Sequence, residues 1–306
     1  MTVVKWALAP IFALGLAAQA AAQTPLTTPP PPVPQTTPDT VDDVTVTGTD
    51  AEQVDAFVGE LLEPARLGRN AGQLARWKDE LCVRVIGGEP DINRRLGEQI
   101  TDALNDLGAR VKDGYCRRPN VMVVIADDAG GFAKAVGERY RNRLFDNRRE
   151  DIAGFSGPAR PVRWQHRTRT TSTGHSAQAE AMAGGYRARG GELPNTRLGF
   201  STAEAIDRAL IVVDPRRLGE VPSRGLAAYV AFAVLLDMPQ LPEVEGQDTI
   251  LNLFEPGGPT ALTNRDRALI QAVYAVRVGQ PFSTQQEQIA RGMRRSLVEV
   301  GTAPTP

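Results

Sequence analysis

Few side chains in this chain can do chemistry, and their spacing narrows what that chemistry could be. His166 and His175 are the only histidines, and Cys82 and Cys116 the only cysteines. A zinc site needs three or four close-spaced His, Cys, Asp or Glu ligands, so this inventory leaves little room for one. In α/β-hydrolases the serine of a Ser-His-Asp triad stands on a sharp strand-to-helix turn. No Gly-x-Ser-x-Gly stretch is present, and Gly154-Phe155-Ser156-Gly157-Pro158 has the wrong spacing. Asp127 and Asp128 follow an apolar run, where carboxylates in α/β sheets often act; the plainer reading is a strand-end turn before Gly130-Gly131. The scattered Gly-Gly pairs lack the Gly-Lys-Ser/Thr ending of a phosphate loop.

Charge is balanced overall and uneven locally. Lys plus Arg is 35 and Asp plus Glu is 36, a net -1, which argues against a nucleic-acid binder driven by bulk charge. Residues 139–170 nevertheless hold nine Arg against three acids, and 237–255 hold five acids and no base. Arg163, Arg167 and Arg169 are the candidate anion-binding residues, suited to an anionic polymer. The alternatives are pairing with the acidic loop, or ordinary solvated surface.

Several elements must position these groups. Val162, Trp164, His166 and Thr168 alternate with Arg163, Gln165, Arg167 and Arg169, which predicts a strand with one wet face. His166 then lies on the Trp164 face, either as a hydrogen-bonded core residue or as part of a groove. Strands are also expected at 81–86, 121–125 and 209–213. Helices are expected at 51–63, 90–108 (with Gly108 as C-cap) and 130–145. Residues 171–200, which include His175, read as a long Gly/Ser/Thr-rich excursion. Strand, helix, strand in this order predicts an α/β sheet. The helix at 224–237 has no charge from Leu226 to Leu236, so other elements must enclose it. Thr263 and Asp266 have capping-box spacing before a helix striped by Leu269, Ala272, Val273 and Val276, and Ser283 and Gln286 repeat the spacing before a last helix.

The 226–237 helix, the Thr249-Ile250-Leu251-Asn252-Leu253-Phe254 segment and the Leu262-Thr263-Asn264-Arg265-Asp266 helix start together resemble the zincin metallopeptidase fold. They resemble more closely a group of uncharacterised secreted bacterial proteins built like it. The resemblance covers residues 226–274. It implies an α/β (α+β) fold: a zincin-like mixed sheet with a buried central helix and C-terminal helices. It does not bring the reaction with it. Zincins carry His-Glu-x-x-His on the central helix, and Ala228, Tyr229 and Phe232 stand at those positions here. The expectation is therefore no metal, no cofactor and no catalytic residue, with Tyr229, Trp164, His166 and Asp266 as the candidate residues of a former cleft. A hydrolase with a different site, using His166 or Asp127 and Asp128 beside Tyr229, is the alternative; a purely structural or interaction module is another.

Residues 1–22 read as a secretory signal: Lys5, a short apolar run broken by Pro10, then Ala20-Ala21-Ala22. That run is too short to span a bilayer. Residues 23–47 read as a Thr/Pro-rich disordered linker, 48–300 as one domain, and 301–306 as a disordered tail. Export makes Cys82 and Cys116 a disulfide. The expected setting is periplasmic or extracellular, with an unidentified envelope or extracellular partner.

Overall fold

Val121–Ile125 (β3) is an uninterrupted β-branched and apolar run, and it lies inside the sheet as such a run should. In the computed structural model, which describes residues 51–62, 72–114, 116–145, 148–172, 202–240 and 242–302, β3 is paired in parallel on both sides. One neighbour is β2 (Val83–Ile86), with Val83 opposite Val121. The other is β5 (Thr202–Val213), with Val121 opposite Ala209. A two-residue strand, β1 (Arg76–Trp77), pairs in parallel with Ala205 and Ile206 of β5. β4 (Val162–Ser172) runs antiparallel along the whole of β5. Because β4 fills one edge of β5 from end to end, β1 and β3 share the other edge, one after the other. The result is a mixed five-stranded sheet with eight α-helices among the described residues. All of them belong to the unit Val46–Pro306.

The period-two alternation of the strands sorts the helices onto two faces. Val121, Val123, Val162, Trp164, Ile206, Ala209, Ile211 and Val213 share one core. It also takes in α1 (Ala51–Leu61), α2 (Pro90–Asp106), α6 (Ser223–Leu235), α7 (Asn264–Ala275) and the buried side of α8 (Phe282–Thr302). Val124, Leu210 and Val212 face the other way. They are covered by α3 (Ala129–Arg139), α4 (Arg141–Leu144) and α5 (Arg149–Ser156), where the Phe145 and Phe155 rings meet at 5.5 Å.

The charge-free stretch of α6 is enclosed, as its composition requires: every residue from Gly225 to Leu235 is buried. α2 buries Leu96, Ile100 and Leu104. It ends on Gly108 at φ 79°, with Gly108 N bonded to Asn105 O and Ala109 N to Leu104 O, the reciprocal pair of a Schellman cap. α7 opens with the expected capping box between Thr263 and Asp266. The disulfide is present, linking Cys82 to Cys116 with Cα atoms 5.7 Å apart. It ties the entry of β2 to the approach to β3.

Other expectations need correction. The 130–145 helix is two helices, parted at Tyr140. β5 starts seven residues before the apolar run at 209–213; Glu204, Asp207 and Arg208 break the apolar pattern of its first half, which β1 and β4 flank. Ser283 does not cap α8, which begins at Phe282, with Gln285 N bonded to Pro281 O. α8 runs on to Thr302, into the segment expected as tail. β1 and α5 had no expectation. The expected signal and linker, His175 and most of the 171–200 excursion lie outside the described residues.

Candidate functional site

The zincin comparison can be tested on α6 itself. Ala228 and Tyr229 are 6% and 7% exposed, and Phe232 is fully buried. The Tyr229 ring packs against Trp164 at 6.2 Å and, edge-on, against Phe254 at 5.1 Å. Trp164 donates from Nε1 to Met238 O at 3.2 Å. This is an aromatic column of the core. Burial pushes the Tyr229 hydroxyl well above its ordinary range, with the nearby Arg160 guanidinium working against that shift. A phenol held protonated in this way is no general base at neutral pH. Among the described residues no group of three or more His, Cys, Asp or Glu could hold a metal ion. A methyl, a buried phenol and a phenyl ring do not fit zinc.

His166 stands on the Trp164 side of β4, as its spacing predicts, but its task is at the end of α6. The last carbonyls of a helix have no partner within it. Here a buried helix end finds three side-chain donors. Trp77 Nε1 donates to Val234 O at 2.7 Å, His166 Nε2 lies 3.2 Å from the same oxygen, and the Tyr274 hydroxyl donates to Leu235 O at 3.1 Å. With hydrogen on Nε2, Nδ1 is left 3.7 Å from Asp237 Oδ1. Burial lowers the imidazole to about 4, against the helix carbonyls that favour its protonated form. The ring is a neutral cap.

The neighbouring Arg76 does the same for α7. Its Nη1 donates to Val273 O at 2.9 Å and to Val276 O at 2.8 Å. Burial lowers its pKa, partly offset by Tyr274. The short β1 thus closes two helix ends with two consecutive side chains. Arg76→Ala should cost about 2–3 kcal/mol, from buried carbonyls left without a donor. Thermal unfolding should read this as a Tm lower by about 5–10 °C. A shift under 1 °C would mean that water replaces the guanidinium.

Asp266 belongs to a different cluster from Trp164 and Tyr229. Its Oδ1 accepts from Thr249 Oγ1 at 2.6 Å, and its Oδ2 from Ile250 N at 2.8 Å and Thr263 N at 2.9 Å. It holds the 250–252 turn onto the start of α7. Burial raises its pKa, and these hydrogen bonds oppose the shift. Asp128 caps α3, accepting from Gly131 N at 2.9 Å, and Asp127 is exposed beside it. The structure does not bring these two to His166, whose ring is enclosed on the opposite face of the sheet. Ser156 Oγ donates back along α5 to Ile152 O at 2.5 Å, so this serine is no nucleophile elbow.

The arginine stripe is the largest correction. Arg163 is 2% exposed and Gln165 8%, because α4 and α5 cover that face of β4. Arg163 donates to Pro158 O at 2.8 Å, and Gln165 to Leu144 O at 3.3 Å. Arg167 and Arg169 do reach the surface, where acids meet them. Asp207 Oδ2 lies 4.0 Å from Arg167 Nε and Asp207 Oδ1 lies 3.5 Å from Arg169 Nε, while Asp79 lies 2.8 Å from Arg169 Nη2. A β-bulge places Asp207 there. Arg167 pairs with Arg208 and Thr168 with Ile206, so Asp207 is the extra residue of β5. Arg163, Arg167 and Arg169 therefore form no continuous exposed stripe.

Buried arginines are what residue spacing alone missed. Arg160 is 8% exposed; its Nη1 donates to Gln240 O at 2.8 Å and its Nη2 to Gly154 O. Burial lowers it to about 10, helped by Arg163. The only hint in the chain is the density of Arg before β4. No protein-family model, no curated protein and no solved structure matches the chain.

Proposed function

We propose that this is an exported, non-catalytic protein on a degenerate zincin-like scaffold that binds an envelope or extracellular protein. The observation that carries the reading is the central helix. Its ligand positions are filled by Ala228, Tyr229 and Phe232, and the latter two are committed to core packing. The disulfide supports an oxidising compartment. No helix among the described residues is long and apolar enough to cross a membrane. The exposed face of β4 and β5 is the proposed contact surface. Arg167, Arg169 and Arg208 alternate there with Asp79 and Asp207, and such mixed charge suits a protein partner better than a polyanion.

The test has two parts. Purified protein should contain no stoichiometric zinc and cleave no peptide in a mixed-sequence library; cleavage abolished by a chelator overturns the reading. Partner capture from the organism's envelope fraction should fall at least tenfold when Arg167→Glu and Arg169→Glu are combined. Capture that survives the charge reversal removes this face.

A further inference from the structure

Three guanidiniums among the described residues are buried without a carboxylate; Arg76 is committed to the end of α7, and the other two leave a nitrogen without a partner. Arg160 and Arg163 are 8% and 2% exposed, and no carboxylate of the described residues lies within 4 Å of either. Their hydrogen bonds go to carbonyl oxygens only: Gln240 and Gly154 for Arg160, Pro158 for Arg163. Nε of each is buried with no partner. Carbonyl dipoles solvate a guanidinium but leave its formal charge uncompensated, and an enclosed charge normally has a counter-ion.

The same end of the sheet carries two more cations. Asp214 directly follows β5, and its N–H donates to Pro161 O beside the start of β4. Its carboxylate accepts from Arg216 N at 3.1 Å and lies 3.6 Å from Arg216 Nε and 3.4 Å from Arg217 Nε. Arg217 and Asp214 are both close enough to Arg163 to perturb it electrostatically, in opposite directions. Arg216 and Arg217 thus pair with this acid, Arg163 lies near it, and Arg160 lies near Arg163. Arg216 and Arg217 have exposed side chains, at 66% and 50%, while Arg163 and Arg160 lie inside. The cluster is at the carboxyl ends of β3 and β5, the end where open α/β sheets hold ligands.

We infer that Arg163 and Arg217, backed by Arg160, form a binding site for a phosphate group. A carboxylate would offset one of the three excess charges; a phosphate carries nearly two, and its oxygens accept the paired N–H donors of guanidinium. The group can come as free phosphate or as a phosphomonoester on a larger molecule. This site is separate from the proposed partner surface on β4 and β5. Its failure leaves capture through Arg167 and Arg169 untouched, and failure of that capture leaves the phosphate site standing.

The test is calorimetric titration of the intact protein with inorganic phosphate, glycerol phosphate and acetate at matched ionic strength. Phosphate and glycerol phosphate should bind saturably, at least tenfold tighter than acetate. If glycerol phosphate binds at least tenfold tighter than phosphate, the source is an ester; equal or weaker binding assigns the site to the free ion. Arg163→Gln should weaken phosphate at least tenfold. Arg217→Gln, a change at an exposed side chain that leaves the core intact, should weaken it severalfold even if the Arg163 variant fails to fold. Absence of saturable phosphate binding to the unaltered protein overturns the inference, as does phosphate affinity unchanged by Arg217→Gln.

Discussion

Removing both disulfide cysteines, as Cys82→Ala with Cys116→Ala, should lower stability by about 3.5–4 kcal/mol. The bridge joins residues 34 apart in sequence, and cross-linking a loop of that size removes roughly this much entropy from the unfolded chain. The loop contains all of α2, which packs on both β2 and α6, so the cross-link shortens the search for the β2 and β3 pairing on which the core is built. Some local order should survive without it. Asn120 accepts from Cys82 N at 2.7 Å and donates to Glu80 O at 2.9 Å, and Leu81 bridges to Val111. The expected readout is a Tm lower by about 8–15 °C with unchanged far-UV circular dichroism at 20 °C. A loss under about 1 kcal/mol would mean that these local bonds already hold the loop in the unfolded ensemble.

Acid should destabilise the protein through His166 before most carboxylates titrate. The imidazole sits at about 4 in the folded state against 6.5 when free, because burial disfavours its charge. Between these values the unfolded chain binds the extra proton, so stability is fully present above about pH 6.5 and is lost as pH falls toward 4. The full difference amounts to roughly 3 kcal/mol. Asp237, 3.7 Å from Nδ1 and partly exposed, pulls the other way. Asp266, whose pKa is raised, contributes with the opposite sign, its share being lost as pH rises. Urea unfolding at pH 7 and pH 5 should therefore separate the two groups. His166→Gln should be less stable at pH 7 and should flatten the slope between these points. An unchanged slope would assign the acid sensitivity elsewhere.

What was legible in the chain was what local pattern or composition decides. The capping box of α7 spans four residues and was visible as Thr263 and Asp266. The enclosure of α6 followed from the absence of charge from Leu226 to Leu236. Trp164 and His166 share a face because strand alternation is strict. The rest depends on what comes to lie opposite. Arg163 looks like a surface residue because arginine in an alternating strand usually is; it is buried because α5, separated from β4 by only a few residues, folds back over that face. The Asp207 bulge exists only relative to β4. β1 is too short for any periodicity to show, yet it closes two helix ends. The mixed α/β class was accessible from strand and helix order. The zincin-like detail remains a proposal resting on three short stretches.

The edge of β5 shared by β1 and β3 bears on how the sheet gives way. β1 occupies Ala205 and Ile206, β3 occupies Ala209 onward, and the bulge falls in the two-residue gap between them. Mechanically this is a butt joint, and among the described strands β4 alone splints it. Load applied along β5 therefore falls, at Asp207 and Arg208, on the β4 ladder and on the core that holds Ile206 and Ala209 together.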